Sequence, residues 1–410
     1  MKKIILSMAA LIAFVMAVQG QNDEFNRWFS GGTLRIDCLR SGSVMTDSVK
    51  VVRWVDRKSD WFGSRTSLKD LFNNGEYRIA LRDPRNWEII YSRCYNNLFR
   101  EYRDTPEGRL VTKSFEETLL VPMPHRTMIV SLQKRGENMQ YVDMVNYKFD
   151  PESITLEVRG SGKPATNANT QGHSERMLDL AIVMQGFENA SREEYGAACR
   201  RIERAIMREN PFHHFARNIN LFFVNGDAGV EYNTFGADRY AMTFKVWQLH
   251  DLLGTTPADH IIIVLNNEKY GGGAIYNFYS VTSLHKMAES VLPHELGHGI
   301  GGLADEYVDE DLSYSTMYST LVEPSEPNIT NLVDFNKKWK KMLPQGTPVP
   351  TPDKTDIPRN QCGPLGVYEG AGYASKGVYR PAMHCMMRDY APFCPVCLHH
   401  LELVIKTYTE

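Results

Sequence analysis

The stretch HELGHGIGGLADEY, residues 294–307, contains residue types that can bind a catalytic metal ion and use it. His294 and His298 are four residues apart, so on a helix both side chains lie on one face and can share a metal. Glu295 lies beside the first histidine and can act as a general base on a water molecule without being a ligand. These residues predict a hydrolytic zinc centre.

The third ligand is the open question, because a catalytic zinc usually takes three protein ligands. Ala304 stands where a third histidine is often found. A turn at Gly302 restores a glycine-x-x-ligand spacing, with Asp305 in the ligand position, and a carboxylate is an acceptable zinc ligand. We therefore predict that Asp305 completes the site. Two alternatives remain, in order of preference: Glu306, and Glu323 in a later proline-rich segment.

The helix that carries both histidines is predicted to be short, about three turns. Pro293 breaks helix interiors, so Ser290 is predicted as the N-cap, which places Pro293 in the first turn. Gly301 and Gly302 are predicted to end the helix, since glycine tolerates the left-handed conformation found there.

A methionine cluster lies in the segment YRPAMHCMMRDY, residues 379–390. Metzincins have a methionine-containing turn beneath the metal, which forms an apolar floor for the histidines. Met387, ahead of Met386, is the predicted residue of such a turn. The alternative is that these methionines fill gaps in the core.

The segment YGGGAIYNFYS, residues 270–280, is predicted to be one strand entered through a glycine turn. An edge strand just upstream of the zinc helix can pair with extended substrate in zincins. We therefore predict that Gly272, Gly273 and Ala274 form a substrate-binding edge. The alternative is that the glycines make an ordinary turn.

Seven cysteines are present, four of them in the last fifth of the chain. The C-x-x-C pair in FCPVC, residues 393–397, could be a redox motif or half of a second zinc site. Because an exported protein meets a disulfide-permissive environment, disulfides that hold the long loop and the methionine turn are predicted, with the pairing left open. The acidic run DEYVDEDL, residues 305–312, could hold calcium but matches no calcium-ligand pattern, so a solvated face is predicted.

The N-terminus reads as a secretory signal peptide. Lys2 and Lys3 precede an apolar run from Ile4 to Val18, and Gly20 is a small residue suited to cleavage. Export to the periplasm, the cell surface or the medium is therefore expected. The later apolar stretches are too short to cross a membrane, and a net charge of −3 argues against nucleic-acid binding. The oligomeric state is left open.

The rest of the chain divides into two predicted domains. Short runs rich in β-branched and aromatic residues, separated by turn clusters, predict a β-sandwich over residues 21–160. Residues 161–175 are rich in Gly, Ser, Asn and Thr and are predicted to be a linker. Strands alternating with helices then predict an α/β catalytic domain over residues 176–410. The predicted signal peptide, residues 1–20, precedes both domains.

Several motifs together resemble the IgA-peptidase-type zinc metallopeptidases of bacteria: HELGHGIGGLADEY, NNEKYGGGAIYNFYS, EGAGYASKGVYRPAMHCMMR and FCPVC, with TLRIDCLRSGS, EYRIALRD and FEETLLVPMPHR in the front half. The resemblance implies a metzincin-like zincin domain behind a β-sandwich, with His294, His298 and Asp305 as ligands and Glu295 as base. It does not carry over immunoglobulin A as substrate. HCMMR departs from the usual metzincin turn because no tyrosine stands two residues after the methionine, so the transition-state tyrosine is open, with Tyr390 and Tyr307 as candidates.

The resulting hypothesis is a secreted zinc endopeptidase that acts on a protein or peptide. One alternative is a secreted or surface binding protein whose β-sandwich holds a glycan or host protein and whose zincin domain is a relic. The other is a zinc amidase that acts on a non-protein substrate.

Overall fold

The computed structural model describes residues 24–309, 318–319, 321–353 and 356–410. The predicted signal peptide lies outside the described residues. Within them, no helix combines the length and the apolar character needed to cross a bilayer.

The front half is a β-sandwich of two four-stranded sheets, as the sequence predicts. The first sheet has the order β5-β1-β2-β8 and the second the order β4-β3-β6-β7. A short helix, α1 (Leu98–Tyr102), follows β4. The strands are β1 (Phe29–Gly42), β2 (Asp47–Asp60), β3 (Tyr77–Arg82), β4 (Ile89–Tyr95), β5 (Lys113–Pro124), β6 (Met128–Arg135), β7 (Tyr141–Phe149) and β8 (Glu157–Val158).

Two of these strands, β5 and β7, are not evident in the sequence pattern. Glu117 interrupts the apolar alternation of β5, yet it is fully buried, where it accepts hydrogen bonds from Arg40 and Asn97. Strand β7 is largely exposed and therefore lacks the alternation of a half-buried strand.

The second half is built on a six-stranded sheet with the order β15-β16-β14-β10-β11-β9. The four inner strands are parallel, and both edge strands run antiparallel to their neighbours. The strands are β9 (Asn167–Asn169), β10 (Leu178–Gln185), β11 (Ile219–Asn225), β14 (His260–Leu265), β15 (Gly272–Ile275) and β16 (Tyr279–Ser283). Two short hairpins lie outside this sheet: β12 (Val230–Glu231) with β13 (Met242–Thr243), and β17 (Tyr368–Ala371) with β18 (Ala374–Arg380).

The helices of this half pack against the sheet. They are α2 (Arg192–Arg208), α3 (Val246–Leu253), α4 (Ala288–Gly299), α5 (Met386–Asp389) and α6 (Pro395–Thr409). The predicted capping box at the start of α2 is confirmed, since Ser191 and Glu194 bond each other's backbone N–H. Strand β10 lies between two hydrophobic cores. Ile182 packs in the core that includes residues of α2 and α4, and Val183 packs in the core that extends into the β-sandwich.

The segment predicted to be a linker contains a strand. Residues 167–169 form β9 and pair with Leu221 to Phe223 of β11, so this part of the segment belongs to the catalytic sheet. Its polar composition hid the pairing, because an edge strand with one exposed face needs little apolar surface.

The single strand predicted over residues 270–280 is wrong. The segment forms the antiparallel pair β15 and β16, joined by a turn at residues 276–278. Asn277 adopts a left-handed conformation in that turn, with φ of 51°, a conformation that asparagine tolerates better than most residues.

Helix α4 carries the two histidines and starts three residues earlier than predicted. Met287, not Ser290, is the N-cap, and Pro293 lies inside the helix. The N–H that proline lacks would bond the carbonyl of Glu289, a residue whose side chain is 45% exposed, so solvent lies near that carbonyl. The predicted length and end are confirmed. The helix has 12 residues, and Gly302 just beyond it has φ of +59°.

Candidate metal centre and active-site cleft

The structure brings His294, His298 and Asp305 to one point. The two Nε2 atoms are 3.1 Å apart, and Oδ1 of Asp305 is 3.2 Å from that of His294 and 3.3 Å from that of His298. A tetrahedral zinc with bonds of roughly 2.0–2.1 Å places its ligand atoms about 3.3–3.4 Å from each other. The three atoms therefore have the spacing of one face of a zinc coordination tetrahedron.

Backbone carbonyls orient both imidazole rings toward this point. Nδ1 of His294 donates to the carbonyl of Met386 over 2.8 Å, and Nδ1 of His298 donates to the carbonyl of Leu303 over 2.6 Å. A hydrogen on each Nδ1 leaves the Nε2 lone pair free for a metal. Such outer hydrogen bonds are a regular feature of histidine ligands.

Asp305 reaches the histidines because the chain folds back after α4. The N–H of Gly302 bonds the carbonyl of His298, and that of Leu303 bonds the carbonyl of Gly297. The second carboxylate oxygen, Oδ2 of Asp305, accepts a hydrogen bond from the Tyr373 hydroxyl. Oδ1 is thereby directed at the histidine pair.

The charges of this cluster suit a cation. Burial opposes a positive charge on His298, but the Asp305 carboxylate outweighs that cost and raises the pKa of His298 to about 9. Burial would likewise raise the pKa of Asp305, and the two histidines instead hold it below its usual value. The cluster therefore stabilises positive charge at the point where the three ligand atoms meet.

The two alternative ligands lie elsewhere. Oε1 of Glu306 accepts hydrogen bonds from Asn328 and from the thiol of Cys397, and this carboxylate belongs to a different cluster from the histidines. Oε2 of Glu323 accepts from the N–H of Asp334. The geometry thus favours Asp305, and its role as a zinc ligand stays a prediction.

Glu295 is buried and lines the same cleft as the histidines. Burial raises the pKa of its carboxyl, although His294 and His298 oppose that effect. Gly272 makes room for this side chain, because a Cβ at position 272 would lie 3.3 Å from Oε1 of Glu295. A carboxylate with a raised pKa beside a metal point fits a general base.

Met387 lies directly beneath the histidine helix. It is fully buried, and its sulfur would be 2.5 Å from a Cβ placed on Gly297 of α4. Helix α5 thus contributes Met387 as an apolar floor and the Met386 carbonyl as the anchor of His294. The geometry fits the predicted methionine turn.

Gly297→Ala is expected to destabilise the chain by about 1–3 kcal/mol, because the new methyl group would overpack against Met387. The ordinary gain of about 1 kcal/mol for Gly to Ala in a helix would be outweighed. The measurement is the free energy of unfolding in urea. Gly196→Ala in α2 is the matched control and should stabilise, since its Cβ would meet only the end of the Arg200 side chain, at 3.3 Å. Equal stabilisation by both changes would contradict close packing of Met387 on α4.

The metal point opens into a cleft of about 490 Å³ whose walls come from both halves of the chain. Helix α1 of the β-sandwich contributes Arg100 and Glu101. Glu101 accepts a hydrogen bond of 2.5 Å from the hydroxyl of Tyr240, and burial raises the pKa of its carboxyl to about 7. Arg100 pairs with Glu326 at 3.2 Å. The β-sandwich therefore forms part of the cleft wall.

Both candidate tyrosines line this cleft. The ring of Tyr390 lies 5.5 Å from that of His294, and its hydroxyl is 2.7 Å from that of Tyr270. The ring of Tyr307 packs on Tyr373, with centroids 5.3 Å apart. Because Tyr390 contacts a histidine of the metal point directly, the geometry favours it.

Family models match most of the chain. Residues 24–145 match the model described as Peptidase M64 N-terminus, and residues 223–362 and 357–405 match that described as IgA Peptidase M64. The chain belongs to the IgA peptidase M64 family. The family resemblance noted in the sequence is thereby confirmed, and so is the predicted fold class, a β-rich domain before an α/β catalytic domain. Membership of this family makes the chain a peptidase. A search of curated proteins finds no significant match.

The edge strand of this M64 peptidase is only partly open. The N–H of Gly272 bonds the carbonyl of Arg239, and its carbonyl accepts from the N–H of Ala241. Hydrogen-bonding groups alternate along a strand, so Ala274, two residues further on, is the next residue whose backbone faces away from β16. The backbone of Gly272 is already paired within the chain, so Ala274 offers the next open backbone groups of this strand, and the substrate-binding edge stays a prediction.

The predicted disulfides are wrong. No disulfide joins any two of the seven cysteines of this M64 peptidase, all of which lie in the described part of the chain. Cys385, Cys394 and Cys397 gather around Glu306 instead.

The acidic run considered for calcium, residues 305–312, is divided between two clusters. Asp305 faces the histidines, Glu306 faces the cysteines, and residues 310–312 lie outside the described part of the chain.

Several cleft residues of the M64 peptidase carry no signal in the sequence. Arg100 and Glu101 lie nearly two hundred residues before the histidine motif, in a different domain. Arg239 lies in a loop without a recognisable motif, and Tyr270 begins the YGGGAIYNFYS segment, whose pattern gives that tyrosine no role of its own. The packing of the β-sandwich on the catalytic half brings Arg100 and Glu101 to the cleft, and the fold of the catalytic half itself brings Arg239 and Tyr270 there.

Proposed function

We propose that this chain is an exported, zinc-dependent endopeptidase. The observation that carries the proposal is the triangle of Nε2 of His294, Nε2 of His298 and Oδ1 of Asp305, with edges of 3.1–3.3 Å. Nitrogen and carboxylate donors in this number are the ligand set of catalytic zinc. The proposal of export rests on the signal-like sequence before Gln21.

The proposed reaction is hydrolysis of a peptide bond. A zinc ion held by the three ligands would polarise the scissile carbonyl and lower the pKa of the attacking water. Glu295 takes the proton from that water and delivers it to the nitrogen of the leaving amine. Tyr390 is proposed to donate a hydrogen bond to the carbonyl oxygen as negative charge develops there.

The residues around the base support its role in this mechanism. Glu295 is buried, and its raised pKa favours holding the transferred proton between the two halves of the reaction. Extended substrate would lie along β15, with backbone hydrogen bonds to Ala274. The α1 wall, with Glu101 and Arg100, would then contact side chains of the substrate.

The test is exposure of the protein, from Gln21 onward, to a library of peptides derived from whole-cell proteins. Mass spectrometry should detect new internal termini, which a zinc chelator abolishes and added zinc restores. The Glu295→Gln protein is the matched control and should generate none. Cleavage that persists in chelator would refute zinc dependence. Hydrolysis confined to non-peptide amides would favour an amidase. Absence of turnover, with ligand binding by the β-sandwich, would favour a binding protein.

A further inference from the structure

A second cluster of potential metal ligands lies behind the catalytic one. It consists of Glu306, Cys385, Cys394 and Cys397, whose ligand atoms all lie within 4.8 Å of one another. All four residues are fully buried. The proposed peptidase mechanism uses none of these side chains.

The sulfur–sulfur spacing of the cluster fits a shared metal, and its sulfur–oxygen spacing is somewhat shorter than a bound zinc would give. The Sγ atoms of Cys385 and Cys397 are 3.8 Å apart, and Sγ of Cys397 is 3.2 Å from Oε1 of Glu306. A tetrahedral zinc with Zn–S bonds of about 2.3 Å and Zn–O bonds of about 2.0–2.2 Å separates two sulfurs by about 3.8 Å, and a sulfur from an oxygen by about 3.5–3.7 Å. A disulfide would hold two sulfurs at about 2.05 Å.

The environment of Glu306 also points to a cation. Its Oε1 is fixed by the Asn328 side chain over 2.9 Å. Its Oε2 is buried and has no hydrogen-bond partner within the described parts of the chain. A buried carboxylate oxygen without a partner is costly, and a metal ion at the centre of the cluster would satisfy it.

The sulfurs have features of metal-bound thiolates as well. The N–H of Cys394 donates to Sγ of Cys385 over 3.3 Å, and hydrogen bonds to sulfur are an established way of tuning metal–thiolate sites. Cys394 and Cys397 have the C-x-x-C spacing common in structural zinc sites.

We propose that Glu306, Cys385, Cys394 and Cys397 bind a second, structural zinc ion. Four protein ligands would fill its coordination, as in closed structural sites. The ion would join three segments: the loop of Asp305, the turn of Met387 that Cys385 precedes, and helix α6, which begins after Cys394. It would thus position a ligand and the floor of the first site, and it would keep the thiols from forming disulfides after export.

The test uses full-length mature protein purified without chelators, with zinc measured per chain by plasma mass spectrometry. The unaltered protein should hold two zinc ions. A protein with His294→Ala and His298→Ala should keep one, and Cys394→Ser with Cys397→Ser should lose one. Cys362→Ser is the matched control, because this nearby thiol lies outside the cluster. It should keep both ions.

Cobalt substitution identifies the ligands independently. Thiolate-to-cobalt charge-transfer absorption should appear in the protein that lacks His294 and His298, where only the sulfur site remains. This measurement tests the proposed zinc site even if the cysteine variants fail to fold. A histidine variant without metal, or one whose mass shows a disulfide among the three cysteines, would overturn the proposal. Since the histidine variant lacks the catalytic site, its result is separate from the outcome of the peptidase test.

Discussion

Glu295→Gln is expected to lower kcat/KM for peptide hydrolysis by about 10²–10⁴-fold, while the chain retains its full zinc content. Glutamine has nearly the same shape, so it fits the space beside Gly272, but it cannot take a proton from water. Glu295 contributes no atom to the triangle of ligand atoms from His294, His298 and Asp305. The measurement is steady-state hydrolysis of a fluorogenic peptide chosen from the library cleavages, with zinc determined on the same preparation.

Glu289→Gln on the same helix is the matched control for this change. Glu289 is half exposed and pairs with Arg208 at 3.3 Å on the surface, away from the cleft. A surface pair of this kind contributes about 0–1 kcal/mol, so activity should stay unchanged. If Glu295→Gln kept wild-type activity, Glu295 would not be the base. If it lost zinc together with activity, its role would be structural.

Asp305→Ala is expected to weaken zinc binding at the histidine site strongly. Loss of an outer hydrogen bond to a metal ligand lowers metal affinity by roughly 10–100-fold, and loss of the ligand itself should cost more. The change removes one of three ligands and leaves His294 and His298 with water in its place. Peptidase activity should fall in parallel at limiting zinc. The measurement is competition with a chromophoric chelator, fitted for the more weakly bound ion.

Two further variants complete the test of the third ligand. Glu323→Ala should leave zinc affinity unchanged, because its carboxylate bonds the backbone of Asp334 and not the histidines. Tyr373→Phe removes the hydrogen bond to Asp305 and should produce an intermediate loss of about 10–100-fold. Loss of zinc in the Glu323 variant with retention in the Asp305 variant would contradict the assignment.

The local features of the metal centre could be predicted from the sequence because they depend on short spacings. Two histidines at i and i+4, a glycine that ends the helix and a carboxylate three residues later all follow from helix geometry and backbone conformation. The same kind of reasoning wrongly places Pro293 in the first turn, whereas it lies inside the helix. The rule against interior proline is strict only where the freed carbonyl has no access to solvent, and Glu289 lies near the surface.

Features that depend on contacts between distant segments could not be predicted. Glu101 enters the cleft only because the β-sandwich packs on the catalytic sheet. Strand β5 was hidden because Glu117 is buried against Arg40, which local polarity cannot reveal. The absence of disulfides among Cys385, Cys394 and Cys397 could not be predicted for the same reason, since these cysteines meet Glu306, about 80 to 90 residues earlier in the chain. In each case a polar side chain contacts a partner remote in sequence, which local patterns do not reveal.

The central claim is that His294, His298 and Asp305 hold the zinc that serves the reaction of Glu295. The most direct measurement is anomalous diffraction at the zinc absorption edge from crystals of zinc-loaded protein. We predict a peak at roughly 2.0–2.2 Å from both Nε2 atoms and from Oδ1 of Asp305. No peak at that point in zinc-loaded crystals, or a peak there ligated by Glu306 or Glu323 in place of Asp305, would contradict the account.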